Sequence, residues 1–280
     1  MRNSCRVQFS FGKKNNKHLV FSLPQTNHYQ EISNLSLEPK TPNLGFDEWG
    51  NTVVIFTNTA AIEFLYSSKN VEKSLEEKWK IDDYKSNKEI DFFLKPNRFI
   101  NGKDEKILKL AHSLIKNEQN VLNIAKTLYD FVLNDLSYGK PTEGLYPYSQ
   151  AVEEKVTDCG GFSTLLLSLF QSVGIPGRLV VGFLLKKNLQ KKVLSMLHVT
   201  SYMFHDLVMH AWIEILLPDH SWFPMDASVE WKRNHNLSKR DGGFGKIPDD
   251  RLVTSFGQDF KITVDGKKHT IDLLQLPIYL

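Results

Sequence analysis

Cysteine is nearly absent from this sequence, with two residues, Cys5 and Cys159, in 280. Such a pair is no disulfide framework, and the simplest expectation is a reduced, cytoplasmic setting. Long apolar runs are missing too. None approaches the roughly 20 residues that cross a bilayer, so no membrane association is expected. The stretch before Gln25 sets Lys13, Lys14 and Lys17 among polar side chains with no continuous apolar core, unlike a secretory signal. Nor is one sign of charge in excess. The formal net charge is +3 and the lysines are spread along the chain, which gives nucleic acid no footing as a partner. No His, Cys or acidic residues recur at the spacing of metal ligands, so neither metal nor cofactor is expected. Internal repeats and low-complexity tracts are also lacking. What remains, 41% hydrophobic and 24% charged, is an ordinary globular composition able to bury a sizeable core in one or two domains.

Residues 1–96 read as a small β-rich domain. Val7, Phe9 and Phe11 alternate, as do Leu19, Phe21 and Leu23, and the run Asn51–Thr57 is strongly β-branched. Pro39, Pro42, Gly45 and the turn DEWGN punctuate the interval between them. Ala60, Ile62, Phe64 and Tyr66 would share one strand face. No chemistry-bearing motif occurs in this part.

From residue 97 to 280 the pattern changes. Ile107, Leu108, Ala111 and Leu114 fit a helix over 104–116 capped by Asn101 or Asp104, with His112 a surface or packed residue. A second helix spans 120–136. A loop rich in Gly, Pro and Tyr leads from Tyr138 to Tyr148. Next comes TDCGGFSTLLLSLFQSVGIPGR, Thr157–Arg178. Phe162, Leu165, Leu166, Leu169, Phe170 and Val173 recur at helical steps, which predicts an amphipathic helix with one buried face. Asp158 or Thr157 caps its start, Gly174 ends it and Pro176 keeps it from resuming. Cys159 therefore falls in the first turn, where the helix dipole favours a thiolate. Alkylation faster than at Cys5 in mild acid is the expected sign. Gly160 and Gly161 would leave the ground beside the sulfur bare for a substrate backbone.

Strands follow over 178–185, 208–217 and 221–226, with a solvated insertion or hairpin extension over 186–206 and a long loop, a candidate lid or substrate wall, over 230–250. At least one further strand lies in 252–264. If Leu217 pairs with Ser221 across the short PDH reversal, His210 lies opposite Ser228 and Trp212 opposite Asp226. His210 and Asp226 then become diagonal neighbours on one face of two antiparallel strands. A thiol, an imidazole and a carboxylate in that relation are a nucleophile, a base and an orienter.

DCGGFSTLLLSLFQSVGIPGRLVVGF, HAWIEI and WFPMDAS, in this order and spacing, resemble the bacterial transglutaminase-like superfamily. The resemblance is firm over 97–230 and weak from about residue 46. It implies an α+β fold, a papain-like core with the cysteine helix packed on an antiparallel sheet, behind the β-rich domain. It also implies Cys159 as nucleophile, His210 as general base and Asp226 as orienter. The backbone N–H of Cys159 would serve as one oxyanion donor, with Tyr148 or Gln150 as candidates for a second. The expected activity is a cysteine peptidase or amidase on a protein or peptide substrate. Glutamine–lysine cross-linking and a non-catalytic binding module on the same fold are the alternatives.

Overall fold

The computed structural model describes residues 4–11, 18–40, 42–57, 60–75, 78–185, 199–203 and 207–280. Most of the expected insertion over 186–206 therefore lies outside the described residues. The alternating first part is built of strands: β1 (Ser4–Phe11), β2 (His18–Leu23), β3 (Gln30–Glu38), β4 (Asn43–Phe46), β5 (Thr52–Thr57), β6 (Ala60–Ser68) and β7 (Val71–Glu72). Helices α1 (Lys88–Phe93), α2 (Glu105–Ile115) and α3 (Val121–Asp135) follow. Next come β8 (Ser137–Tyr138), α4 (Tyr148–Glu154), β9 (Val156–Thr157) and α5 (Cys159–Ser172). The last third holds β10 (Gly177–Leu185), β11 (Val199–Met203), β12 (Leu207–Leu216), β13 (Trp222–Met225) and α6 (Ala227–Asn234). It ends with β14 (Lys246–Ile247), β15 (Arg251–Phe256), β16 (Phe260–Val264), β17 (Lys267–Ile271) and β18 (Ile278–Tyr279).

The chain divides into two compact units. One takes Met1–Val71, Val181–His210 and Pro248–Leu280, the other Glu72–Val180 and Ala211–Ile247. The boundary expected near residue 97 falls inside the second of these. In the first unit, β11-β1-β6-β3 and β18-β2-β5-β4 form two sheets. Val7, Phe9 and Phe11 of β1 bury into one core with Leu19, Phe21 and Leu23 of β2, and the Phe9 and Phe21 rings meet edge to face 5.5 Å apart. Ala60, Ile62, Phe64 and Tyr66 join that core from β6, which is a strand as expected. The end of β10 pairs with β15 so closely that a side chain on Gly182 would meet the Leu252 carbonyl oxygen at 1.9 Å. Only glycine fits there.

In the second unit α5 is the central helix, with α2, α3, α4 and α6 all packed on it. It differs from the expected amphipathic helix in being buried on every side from Gly160 to Phe170. The polar residues that seemed to mark an outer face are satisfied internally. Ser163 donates to the Cys159 carbonyl at 2.8 Å, Ser168 to that of Thr164 at 2.8 Å and Thr164 to that of Tyr146 at 2.8 Å. A hydroxyl bonded back to a carbonyl carries little cost of burial, so such a helix need not face water. Gly174 adopts φ +80° and stops the helix as expected. Helix α2 starts on the Asp104 cap and α3 on Asn120, and His112 is exposed.

Residues 230–250 are not one long loop, since α6 occupies their start. Asp226 caps α6, Val229 and Trp231 are buried, and Glu230 is bonded to the Tyr129 hydroxyl. The following turn is tied down by Arg233, whose Nη1 donates to the Gly242 carbonyl at 2.6 Å. The start of this segment is thus tied to its following turn.

Candidate active site

The first turn of α5 is organised by Asp158. Its Oδ1 accepts the backbone N–H groups of Gly160 at 2.8 Å and Gly161 at 3.3 Å, and its Oδ2 that of Thr142 at 3.2 Å. The two glycines are packing residues and do not open a floor for substrate. A Cβ on Gly161 would meet Thr157 Oγ1 at 1.8 Å, and one on Gly160 would press on Asp158 and Leu145 at 3.0 and 3.1 Å.

Strand β12 faces this turn within the second unit. The backbone N–H of Ala211, the residue after His210, donates to the Cys159 sulfur. Farther along β12, Glu214 is fully buried and receives Arg178 Nε and Nη2, each at 2.7 Å. The Arg178 guanidinium lies 3.9 Å from the centroid of a Trp222 ring. The arginine of GIPGR and the glutamate of HAWIEI thus form one buried pair that ties β10 to β12. Removing either charge would strand the other.

The β12–β13 hairpin has the register expected from PDH. Leu217 N–H bonds to the Ser221 carbonyl at 2.8 Å, and the ladder runs from Leu216 opposite Trp222 to Ile213 opposite Met225. It stops one residue short of Asp226, so the expectation that Asp226 sits on the strand is corrected. Asp226 is the N-cap of α6, fully buried, and its Oδ1 accepts Val229 N–H and Ser228 Oγ–H, both at 3.1 Å. A buried carboxylate wants donors, and the unpaired amides at a helix start supply them. His210, in the other unit, is also buried, and its carbonyl accepts the Gln275 side-chain amide at 2.9 Å.

Cys159 is half-buried and free. Burial comes first among the causes that push its thiol up, to about 12. The Asp158 carboxylate adds to this, the Ala211 N–H and Lys232 act against it, and Asp226 adds again. The helix dipole does not prevail because Asp158 already neutralises the first-turn amides. The expected helix-activated thiolate is therefore corrected to a neutral thiol that needs a base. Alkylation of Cys159 by iodoacetamide should rise about tenfold per pH unit from about pH 6 to 9, with no plateau. Peptide mapping at each pH measures this, and a plateau near neutrality would mean a preformed thiolate.

Two residues beside the sulfur escape the sequence reading. The Tyr138 hydroxyl hydrogen-bonds to the Cys159 side chain, and burial holds the phenol well above its ordinary range. The Lys232 ammonium sits 3.4 Å from the Tyr138 ring centroid. Burial lowers the pKa of Lys232, against the pull of the Asp226 and Asp158 carboxylates. Lys232 had a legible signal: DASVEWKR begins on a capping residue, carries Glu230 in its first turn and Lys232 and Arg233 in its last, all marks of a helix. Tyr138 had none, because the two-residue ladder β8–β9 that brings it level with Thr157 shows no periodicity. The candidates for a second oxyanion donor are committed elsewhere. The Tyr148 hydroxyl bonds to Asp104 Oδ2 at 3.1 Å, and the Gln150 amide donates to Glu154 Oε1 at 2.8 Å. Among the described residues no group of three or more His, Cys, Asp or Glu side chains could hold a metal ion, and no helix is long and apolar enough to cross a membrane.

Residues 108–227, which contain the first two motifs whole and the third up to Ala227, match the family model of the transglutaminase-like superfamily. No curated protein matches the chain. Among solved structures, one described as a putative cysteine protease from Cytophaga hutchinsonii aligns over 91% of this chain and 80% of its own. Its TM-score is 0.59 at 17% identity, which marks a shared fold. The periplasmic domain of TgpA from Pseudomonas aeruginosa, bound to ethylmercury, aligns over 82% and 80% at TM-score 0.45 and 12% identity. A red sea bream transglutaminase aligns over 91% and 57% at TM-score 0.34 and 12% identity.

Proposed function

With residues 108–227 a transglutaminase-like core, we propose that this protein is a cysteine hydrolase acting on amide or peptide bonds of a protein or peptide. Cys159 adds to the carbonyl while His210 takes the thiol proton. His210 then returns that proton to the departing amine as the thioester forms. Water, deprotonated by the same imidazole, resolves the thioester to acid and free enzyme. Asp226 holds the imidazole in the productive tautomer, as a buried carboxylate does in such triads.

The observation that carries this reading is the placement of the Cys159 sulfur. It rests on the Ala211 N–H, one residue along β12 from His210, in the same unit as the buried Asp226. A neutral thiol in that position is inert without a neighbouring base, which suits a general-base role for His210. The cytoplasmic setting remains part of the proposal and rests on the scarcity of cysteine alone.

Incubating the enzyme with a peptide library in water, with and without an excess of a primary amine, tests the reading. Cys159-dependent release of acid as the main product in both mixtures is expected. Transfer to the amine as the main product would instead make the protein a cross-linking acyltransferase. Absence of any Cys159-dependent product would leave a binding module.

A further inference from the structure

We infer that the Lys232 ammonium is an anion-recognising group beside Cys159, and that the substrates carry a carboxylate within one residue of the carbonyl that Cys159 attacks. The inference rests on the hydrolase reading and deepens it by naming a substrate class. The carboxylate has two possible sources: an acidic side chain next to the scissile bond, or the free C-terminus of the residue that leaves.

Lys232 stands half-buried in the last turn of α6. Among the described residues its ammonium makes no hydrogen bond and no ion pair, and its close partner is the face of the Tyr138 ring, 3.4 Å from Nζ to centroid. An aromatic face compensates only part of what an ammonium loses on leaving water. The carboxylates near enough to pull on it hold other donors. Asp158 gives Oδ1 to the N–H groups of Gly160 and Gly161 and Oδ2 to that of Thr142, and Asp226 gives Oδ1 to Val229 and Ser228. Arg240 adds a like charge from the turn after α6. A last-turn cation suits the α6 dipole, but Arg233 already stands there and a fully solvated lysine would serve as well. An ammonium held in this way gains most from an anion that the substrate brings.

Its place sets where that anion lies. The Tyr138 hydroxyl hydrogen-bonds to the Cys159 side chain, so the ammonium on that ring stands one aromatic ring away from the sulfur. Gly139 N–H bonds to the Thr157 carbonyl at 2.7 Å, which ties the backbone beside Tyr138 to the residue that leads into Asp158 and Cys159. Neighbouring residues of an extended peptide lie about 3.8 Å apart at Cα. A carboxylate on the residue attacked, or on the next one, therefore spans such a gap while the carbonyl rests at the sulfur.

The anion site can be read without any hydrolysis, from alkylation of Cys159 by iodoacetate, an anion, and by iodoacetamide, its neutral counterpart. Both reagents consume the same thiolate, so the ratio of their rates is blind to thiol ionisation. The ratio should fall on the order of tenfold in Lys232→Met, hold in Lys232→Arg and fall further in Lys232→Glu. A ratio that moves in neither Lys232→Met nor Lys232→Glu overturns the inference. Peptide pairs then separate the two sources. One set exchanges Asp for Asn on either side of the scissile bond, and the other exchanges a free acid for an amide on a terminal residue just after it. One set should show a preference in kcat/KM for the acid on the order of tenfold, abolished in Lys232→Met and reversed in Lys232→Glu. If neither set shows a preference that depends on Lys232 while the iodoacetate ratio moves, the substrate class is overturned. If that ratio moves but no peptide is cleaved in a Cys159-dependent way, the hydrolase reading falls, the substrate class falls with it, and the anion site stands.

Discussion

His210→Gln is expected to lower the rate of Cys159 acylation by on the order of 10⁴. The reason is electrostatic. Burial, Asp158 and Asp226 hold the Cys159 thiol neutral, so at pH 7 the thiolate is a very small fraction of the protein. A base that accepts the proton as the C–S bond forms supplies what the helix dipole does not. Rates measured against pH should separate the wild type from the variant. The wild type should show a rise through the imidazole range, whereas the variant should climb with hydroxide alone. A glutamine variant that keeps even a tenth of the acylation rate would mean that another group removes the proton.

Asp226→Asn should separate two roles of one carboxylate. As the N-cap of α6, Asp226 accepts Val229 N–H and Ser228 Oγ–H through Oδ1. Asparagine caps a helix about as well as aspartate, so urea unfolding should move by less than about 0.5 kcal/mol, whereas Asp226→Ala should lose about 1 kcal/mol. Catalysis should respond otherwise. Without its charged orienter the imidazole takes the wrong tautomer, and acylation should fall by on the order of 10⁴. Alkylation should move in the opposite direction, because the Asp226 charge pushes the thiol up and its removal eases ionisation. Faster alkylation together with collapsed acylation is a signature that mere loss of structure cannot produce. Unchanged acylation would confine Asp226 to its cap.

The parts of this fold legible in the sequence are those whose partners are close in the chain. The boundaries of α5 follow from Asp158 and Gly174, and the β12–β13 register follows from a three-residue reversal whose length leaves one pairing. The role of Asp226 as a cap was not legible from the alternation of WFPMDAS, since strand and helix meet at that residue and the strand pattern masks the cap. The burial of α5 on every side was hidden because Ser163, Thr164 and Ser168 look solvent-facing until their carbonyl partners are known. The electrostatics of Cys159 escape the sequence pattern for a related reason. A helix start favours an anion, but here the cap is itself an anion, and it takes the amides first. Tyr138 depended on a ladder between segments that share no local pattern.

The measurement that bears most directly on Cys159 as the acylated nucleophile is a rapid acid quench of the enzyme with a peptide library, followed by mass spectrometry of the Cys159 peptide. A hydroxylamine-labile acyl group is predicted on Cys159, formed with loss of the amine portion of the peptide and absent from Cys159→Ala. The same peptide carrying no acyl mass at any quench time, while amide cleavage proceeds equally in wild type and Cys159→Ala, would contradict it.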